Sequence, residues 1–153
     1  MITRAFEDYL VKQEGAFLTP AANLAVLVDS HNVDHAILLL SQMTYSRIPV
    51  VTAEKKFVGT ISLTDIMAYR MQHDLPEEEF MAMDIVHMTK TDGQTVGVDY
   101  TISEVLHKLI DESFLPVVGQ DQYFHGIITR KSILKAVNAL LHDFSSQYEM
   151  KAK

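Results

Sequence analysis

YSRIPVVTAEKKFVGTISLTDI, residues 45–66, reads as two short strands joined by a polar turn and followed by a capped helix start. Pro49, Val50 and Val51 lead a buried β-branched run, TAEKK supplies the turn, and the chain returns from Phe57 to Ile61 before SLTD opens the helix. The order comes back as FLPVVGQDQYFHGIITRKSIL, residues 114–134. Pro49, Val50, Gly59 and Ile61 recur at an offset of 67 as Pro116, Val117, Gly126 and Ile128, whereas Thr64 becomes Lys131. A duplicated unit of this size predicts an α/β chain of two half-domains, with polar residues at matching turns around a nucleotide-sized cleft.

Working outward, residues 2–13 put Ile2, Phe6, Tyr9 and Leu10 on one face of a short lead-in helix. Leu24 to Val28 reads as a short strand, and Asp29, Ser30 and Asn32 supply stop and cap residues before a helix over 33–44. Val33, Ala36, Ile37 and Leu40 form its core face, but Leu38 and Leu39 leave much of the rest apolar, so a second burial partner is expected. Ser62 is the expected cap of the next helix, which runs through Met71. Residues 72–80, QHDLPEEEF, are the linker candidate, with Glu77 to Glu79 as a solvated first helical turn. Met81, Met83, Ile85, Val86 and Met88 read as core filling, and Val96 with Val98 as a short strand. Ile102, Val105, Leu106, Leu109 and Ile110 predict an amphipathic helix, and Ile133, Val137, Leu140, Leu141 and Phe144 another.

At 153 residues the chain has the length of one domain or two small halves, and 48% hydrophobic residues suffice for a core. No apolar run reaches the roughly 18 residues of a membrane span, and MITRAFEDYL lacks the regions of a signal peptide, which predicts a cytoplasmic protein off the membrane. The absence of cysteine removes thiolate catalysis, and the seven histidines are scattered without a metal-binding spacing. A formal charge of -7 argues against a nucleic-acid surface while leaving room for a local basic pocket.

The pieces SRIPVV, GTISLTD, FLPVV and GIITRKS, in that order and duplicated, resemble a tandem pair of CBS domains forming a Bateman module. The resemblance implies two β-α-β-β-α units, with a lead-in helix over 1–17, a first CBS domain over 18–71 and a linker and helix over 72–87. A second CBS domain over 88–144 and a tail over 145–153 complete the chain. It also implies adenine-nucleotide clefts between the units and pairing of modules through helices, hence a homodimer.

GTISLTD is similar to the family motif in which a hydroxyl approaches phosphate and an aspartate holds ribose hydroxyls. By position these are Ser62, Thr64 and Asp65, with Gly59 allowing close approach. A helix start offers free N–H groups to an anion, and a carboxylate accepts from a diol. Ordinary helix-start roles for Ser62 and Asp65 are the alternative. In the second copy Ser132 stands where Asp65 does, so the site candidates shift to Thr129, Arg130 and Lys131, the last two as phosphate donors. The family comparison adds Ala22, Asn23 and Ala25, then Tyr45, Ser46, Arg47, Ile48 and Pro49. There Tyr45 can stack on a base or lie at an interface, and Arg47 can meet phosphate or form a salt bridge.

The likeness is greatest to stand-alone CBS-pair proteins of Gram-positive bacteria that bind cyclic di-AMP. It implies a non-catalytic sensor with that regulatory ligand, no other cofactor, and a protein partner such as an alarmone synthetase/hydrolase engaged mainly without ligand. A sensor of AMP, ADP or ATP and a ligand-independent adaptor are the alternatives. An enzyme would rest on Asp65 and His125, two isolated candidates.

Overall fold

The computed structural model describes residues 3–13, 15 and 17–153. Its elements are α1 (Arg4–Val11), β1 (Leu18–Pro20), β2 (Leu27–Val28), α2 (Val33–Gln42), β3 (Arg47–Val51), β4 (Phe57–Ser62) and α3 (Leu63–Gln72), then α4 (Glu77–Ala82), α5 (Ile102–Lys108), β5 (Phe114–Val118), β6 (Phe124–Thr129) and α6 (Arg130–Gln147). They form two compact units. The middle unit comprises Leu24–Gly93 with Val118–Phe124, and the terminal unit takes the residues up to Asn23, Gln94–Val117 and His125–Lys153.

In the middle unit the sheet runs β2-β3-β4, with β2 parallel to β3 and the β3–β4 hairpin antiparallel. Only Leu27 and Val28 of the expected strand pair, opposite Val50 and Val51, so the apolar residues before them carry no ladder. α2 starts where the Asn32 side chain accepts from the His35 amide, which satisfies one of the amides a helix start leaves open. Val33, Ala36 and Leu40 pack with Ile48, Val50, Ile61, Ile66, Phe80, Ile85 and Met88 into a core, and Ile37 and Leu39 lie against it. Leu38 is 59% exposed, so it is the one residue of that face without cover. The linker candidate runs into α4, whose three glutamates fill the first turn while Phe80 enters the core beneath the Arg70 guanidinium. Met88 and Ile85 are buried as expected and Val86 is exposed.

In the terminal unit the order is β1-β6-β5. Thus Leu18–Pro20, which open the expected first CBS domain, complete the sheet of the second, with Pro20 opposite Gly126. Phe17, Val105, Leu109, Leu115, Val117, Ile128, Ile133 and Leu140 form its core. The lead-in helix is closed onto α6 by aromatic contacts, Phe6 at 4.9 Å and Tyr9 at 6.5 Å from the Phe144 ring. Ile2 lies outside the described residues. Val96 makes a single parallel bridge with Val117, and Val98 is exposed, so the strand expected there is one residue of pairing. Ile110 is likewise exposed, because α5 ends at Lys108, before that residue can turn inward. Among the described residues no helix is long and apolar enough to cross a membrane.

One constraint recurs in both units. Thr60 and Lys90 exchange two backbone hydrogen bonds across β4, at 3.0 and 2.8 Å, so the segment after the linker lies across the first hairpin as β1 lies across β6. A Cβ on Gly59 would overlap the Lys90 carbonyl, and one on Gly126 the Thr19 carbonyl. Gly126 also has φ +148°, which side-chain-bearing residues rarely adopt.

Gly59→Ala is expected to cost about 1–3 kcal/mol of stability by overpacking against backbone, and Gly126→Ala more, because strain at φ adds to the overlap. Chemical denaturation checks both, and unchanged midpoints would show the crossings to be loose. A pH dependence is also expected at the loop before α2. There His31 Nδ1 accepts from the Val28 amide at 3.1 Å, and burial, then the neighbouring His35, lower its pKa from 6.5. The unfolded chain therefore takes the proton first, so this contribution is complete above about pH 6.5 and is lost as pH falls below it. Thermal unfolding of wild type and His31→Asn at pH 8 and 5.5 should show the smaller pH loss in the variant.

Candidate functional site

The first helix start is built by the β3–β4 register. Arg47 lies opposite Ser62, and Ser62 caps α3. Its hydroxyl accepts from the Asp65 amide at 3.1 Å while Asp65 Oδ2 accepts from the Ser62 amide at 3.0 Å, a reciprocal capping box. Arg47 joins this box from the strand: Nη1 donates to Asp65 Oδ2 at 2.8 Å and to Thr60 Oγ1 at 2.9 Å, and Nη2 reaches Ser62 Oγ at 3.4 Å. The structure therefore brings Arg47, Ser62 and Asp65 together. Thr60 is the member the sequence reading missed, although hairpin register was the available signal, since residues two apart on a strand share a face. Thr64 is exposed on the first turn of α3, and Tyr45 and Ser46 are exposed just before β3. Ile48 and Pro49 are buried, with the Ile48 side chain in the core of the middle unit. A hollow of about 220 Å³ runs from Asp65 and Tyr69 to His87, Thr89 and Lys90.

The second helix start is made differently. Thr129 is buried and caps α6 by accepting from the Ser132 amide at 3.0 Å. Ser132 Oγ is within donating distance of the Thr129 carbonyl at 2.8 Å and the Phe17 carbonyl at 3.1 Å. The Arg130 guanidinium turns back to the end of α5, donating from Nε to the Leu109 carbonyl and from Nη2 to those of Ile110 and Glu112. It thus satisfies carbonyls left open at a helix C-terminus and offsets the negative end of the helix dipole. The expected phosphate donor is in large part a structural clamp. Lys131 is exposed and has no ion-pair partner among the described residues. With Arg130, Leu134, Lys135 and Asn138 it lines a hollow of about 470 Å³ on α6.

Ala22 and Asn23 are exposed in a 3-10 turn after β1, and Ala25 is half-buried ahead of β2. His125 borders a mostly apolar hollow of about 480 Å³ with Leu18, Pro20, Val98, Tyr100 and Val117. No group of three or more His, Asp or Glu among the described residues is placed to hold a metal ion.

Against known proteins, the CBS domain family model matches residues 18–72 and 79–139. The chain belongs to the CBS-domain family. It carries two CBS domains, a Bateman module of β-α-β-β-α units that acts as a non-catalytic, nucleotide-binding regulator. A CBS domain protein from Streptococcus pneumoniae is 71% identical, over 90% of this chain and 94% of that one, with a TM-score of 0.83. CbpB from Streptococcus agalactiae is 46% identical, covers 99% of this chain and 96% of its own, and superposes with a TM-score of 0.95. A CbpB structure in complex with c-di-AMP is 47% identical over 95% of this chain and 97% of that one, with a TM-score of 0.87.

The two basic residues of the second helix start should separate on mutation. Arg130→Ala is expected to cost about 1 kcal/mol, below the usual range for hydrogen bonds to charged groups because the group is exposed. Lys131→Ala should stay within about 0.5 kcal/mol of wild type. Differential scanning calorimetry reads the contrast, and equal melting temperatures would place no clamp at Arg130.

Proposed function

We propose that this CBS pair binds cyclic di-AMP and regulates a partner protein according to whether the ligand is bound. The observation that carries the reading is the likeness, over nearly the whole chain, to a CbpB that is complexed with that nucleotide. The local chemistry is compatible. Ser62, Thr64 and Asp65 offer hydroxyls, a carboxylate and a helix start, and Thr129, Arg130 and Lys131 offer a second helix start with an exposed ammonium group. Tyr45 presents an exposed ring and Ser46 a hydroxyl, while Arg47 Nε donates no hydrogen bond among the described residues. Ala22, Asn23, Ala25, Ile48 and Pro49 complete the proposed contact set through backbone groups and apolar walls.

The same reading makes the protein a cytoplasmic homodimer. Leu63, Met67 and Met71 form an exposed stripe at helical spacing on α3, and Met71 is 84% exposed. On α6, Leu134 and Leu141 are exposed as well, the latter 77%. Apolar faces of this kind favour burial against a second copy. The ligand-dependent partner that the family likeness supplies is an alarmone synthetase/hydrolase. A ligand switches such a partner only by binding one state more tightly than another.

Isothermal titration calorimetry with cyclic di-AMP, AMP, ADP, ATP and cyclic di-GMP in one buffer tests the reading. Saturable binding is expected for cyclic di-AMP, at least tenfold tighter than for any of the others, and Lys131→Ala should weaken it severalfold without loss of stability. Preference for a mononucleotide would make the protein an energy sensor instead, and silence from every nucleotide would make it an adaptor.

A further inference from the structure

Arg47 and Asp65 are present together in the first copy and absent together from the second. At the offset of 67, Phe114 stands in place of Arg47 and Ser132 in place of Asp65. Phe114 is buried, and the Ser132 hydroxyl bonds only main-chain carbonyls. The pair in the first copy is partly shielded, with side chains 25% and 23% exposed, so their charges are felt more strongly than those of a surface pair.

The bonds are also one-sided. Asp65 Oδ2 receives both the Arg47 Nη1 and the Ser62 amide hydrogen, whereas Oδ1 has no partner among the described residues. A lone carboxylate beside the start of α3 would repel a phosphodiester and oppose the attraction of the helix dipole. With Arg47 on Oδ2 the corner is neutral overall, and Oδ1 is held as a hydrogen-bond acceptor at a fixed orientation.

We propose that Arg47 is a positioning and charge-balancing residue: it acts on the nucleotide through Asp65, allowing an anionic ligand to approach while Oδ1 accepts from a sugar hydroxyl. Arg47 then decides that this helix start takes a phosphorylated nucleoside. The inference rests on the proposed cyclic di-AMP reading and assigns a role that a direct phosphate contact would not have.

A mutant cycle on the full chain tests it, with cyclic di-AMP as the titrant and melting temperature followed in parallel. Arg47→Gln should weaken binding at least tenfold, Asp65→Asn should change it less, and the double variant should return to within about threefold of Asp65→Asn. Arg47→Lys, which keeps the charge, should recover most of the affinity. A double variant as weak as Arg47→Gln would mean that Arg47 touches phosphate directly and would overturn the proposal. So would Arg47→Gln binding like wild type while melting lower, the mark of a structural pair. Should Arg47→Gln fail to fold, the double variant lacks the unpaired carboxylate, and its affinity relative to Asp65→Asn decides alone: equality supports, a tenfold deficit overturns. If wild type binds none of the nucleotides, the functional reading and this inference fall together.

Discussion

Two backbone crossings, at Gly59 and Gly126, are the constraint on which the rest of the fold depends. At each, a neighbouring segment passes so close to a hairpin strand that a side chain would strike its carbonyl. The crossings let Leu18–Pro20 complete the β5–β6 sheet and let Lys90 pair with Thr60 on β4. Each hairpin is thereby covered by a segment that lies elsewhere in the chain, which protects strand edges that would otherwise invite pairing with other molecules. The cost is a glycine at one position per copy, with its loss of backbone entropy on folding.

With the hairpins held, the two helix starts are placed by the same geometry and then diverge in chemistry. In the first, a strand arginine and a helix aspartate face one another because register sets residue 47 opposite residue 62. In the second, a hydroxyl replaces the carboxylate, and the arginine that follows the cap is drawn to three carbonyls at the end of α5. Both caps satisfy amides, but one carries paired charges and the other an exposed lysine. The duplicated scaffold therefore carries helix starts of unlike chemistry on matching hairpins.

Much of the molecule was legible in the residues. The duplicated strand–turn–strand–helix pattern, the Asn32 and Ser62 caps, the solvated glutamate turn and the core faces of α2, α5 and α6, apart from the exposed Leu141, follow from periodicity and capping, which are local. The errors share one cause. Leu24 to Val26 and Val98 look like strand residues, but a strand exists only where a partner offers its hydrogen bonds, and pairing reaches only Leu27, Val28 and Val96. Ile110 follows the helical period two residues too far because the end of α5 is set by the chain's return into β5 and by the Arg130 clamp. Arg130 was read by its charge, whereas its nearest partners are carbonyls some twenty residues away in sequence.

The sequence by itself determined the repeat, the family and the positions where helices begin, since these depend on side chains interacting with backbone within a few residues. The tertiary structure alone decided that β1 serves the sheet of the second copy, that Arg47 offsets Asp65 and that Arg130 closes α5. Those outcomes join groups far apart in the chain, and their energies depend on distance and burial, which no local pattern records.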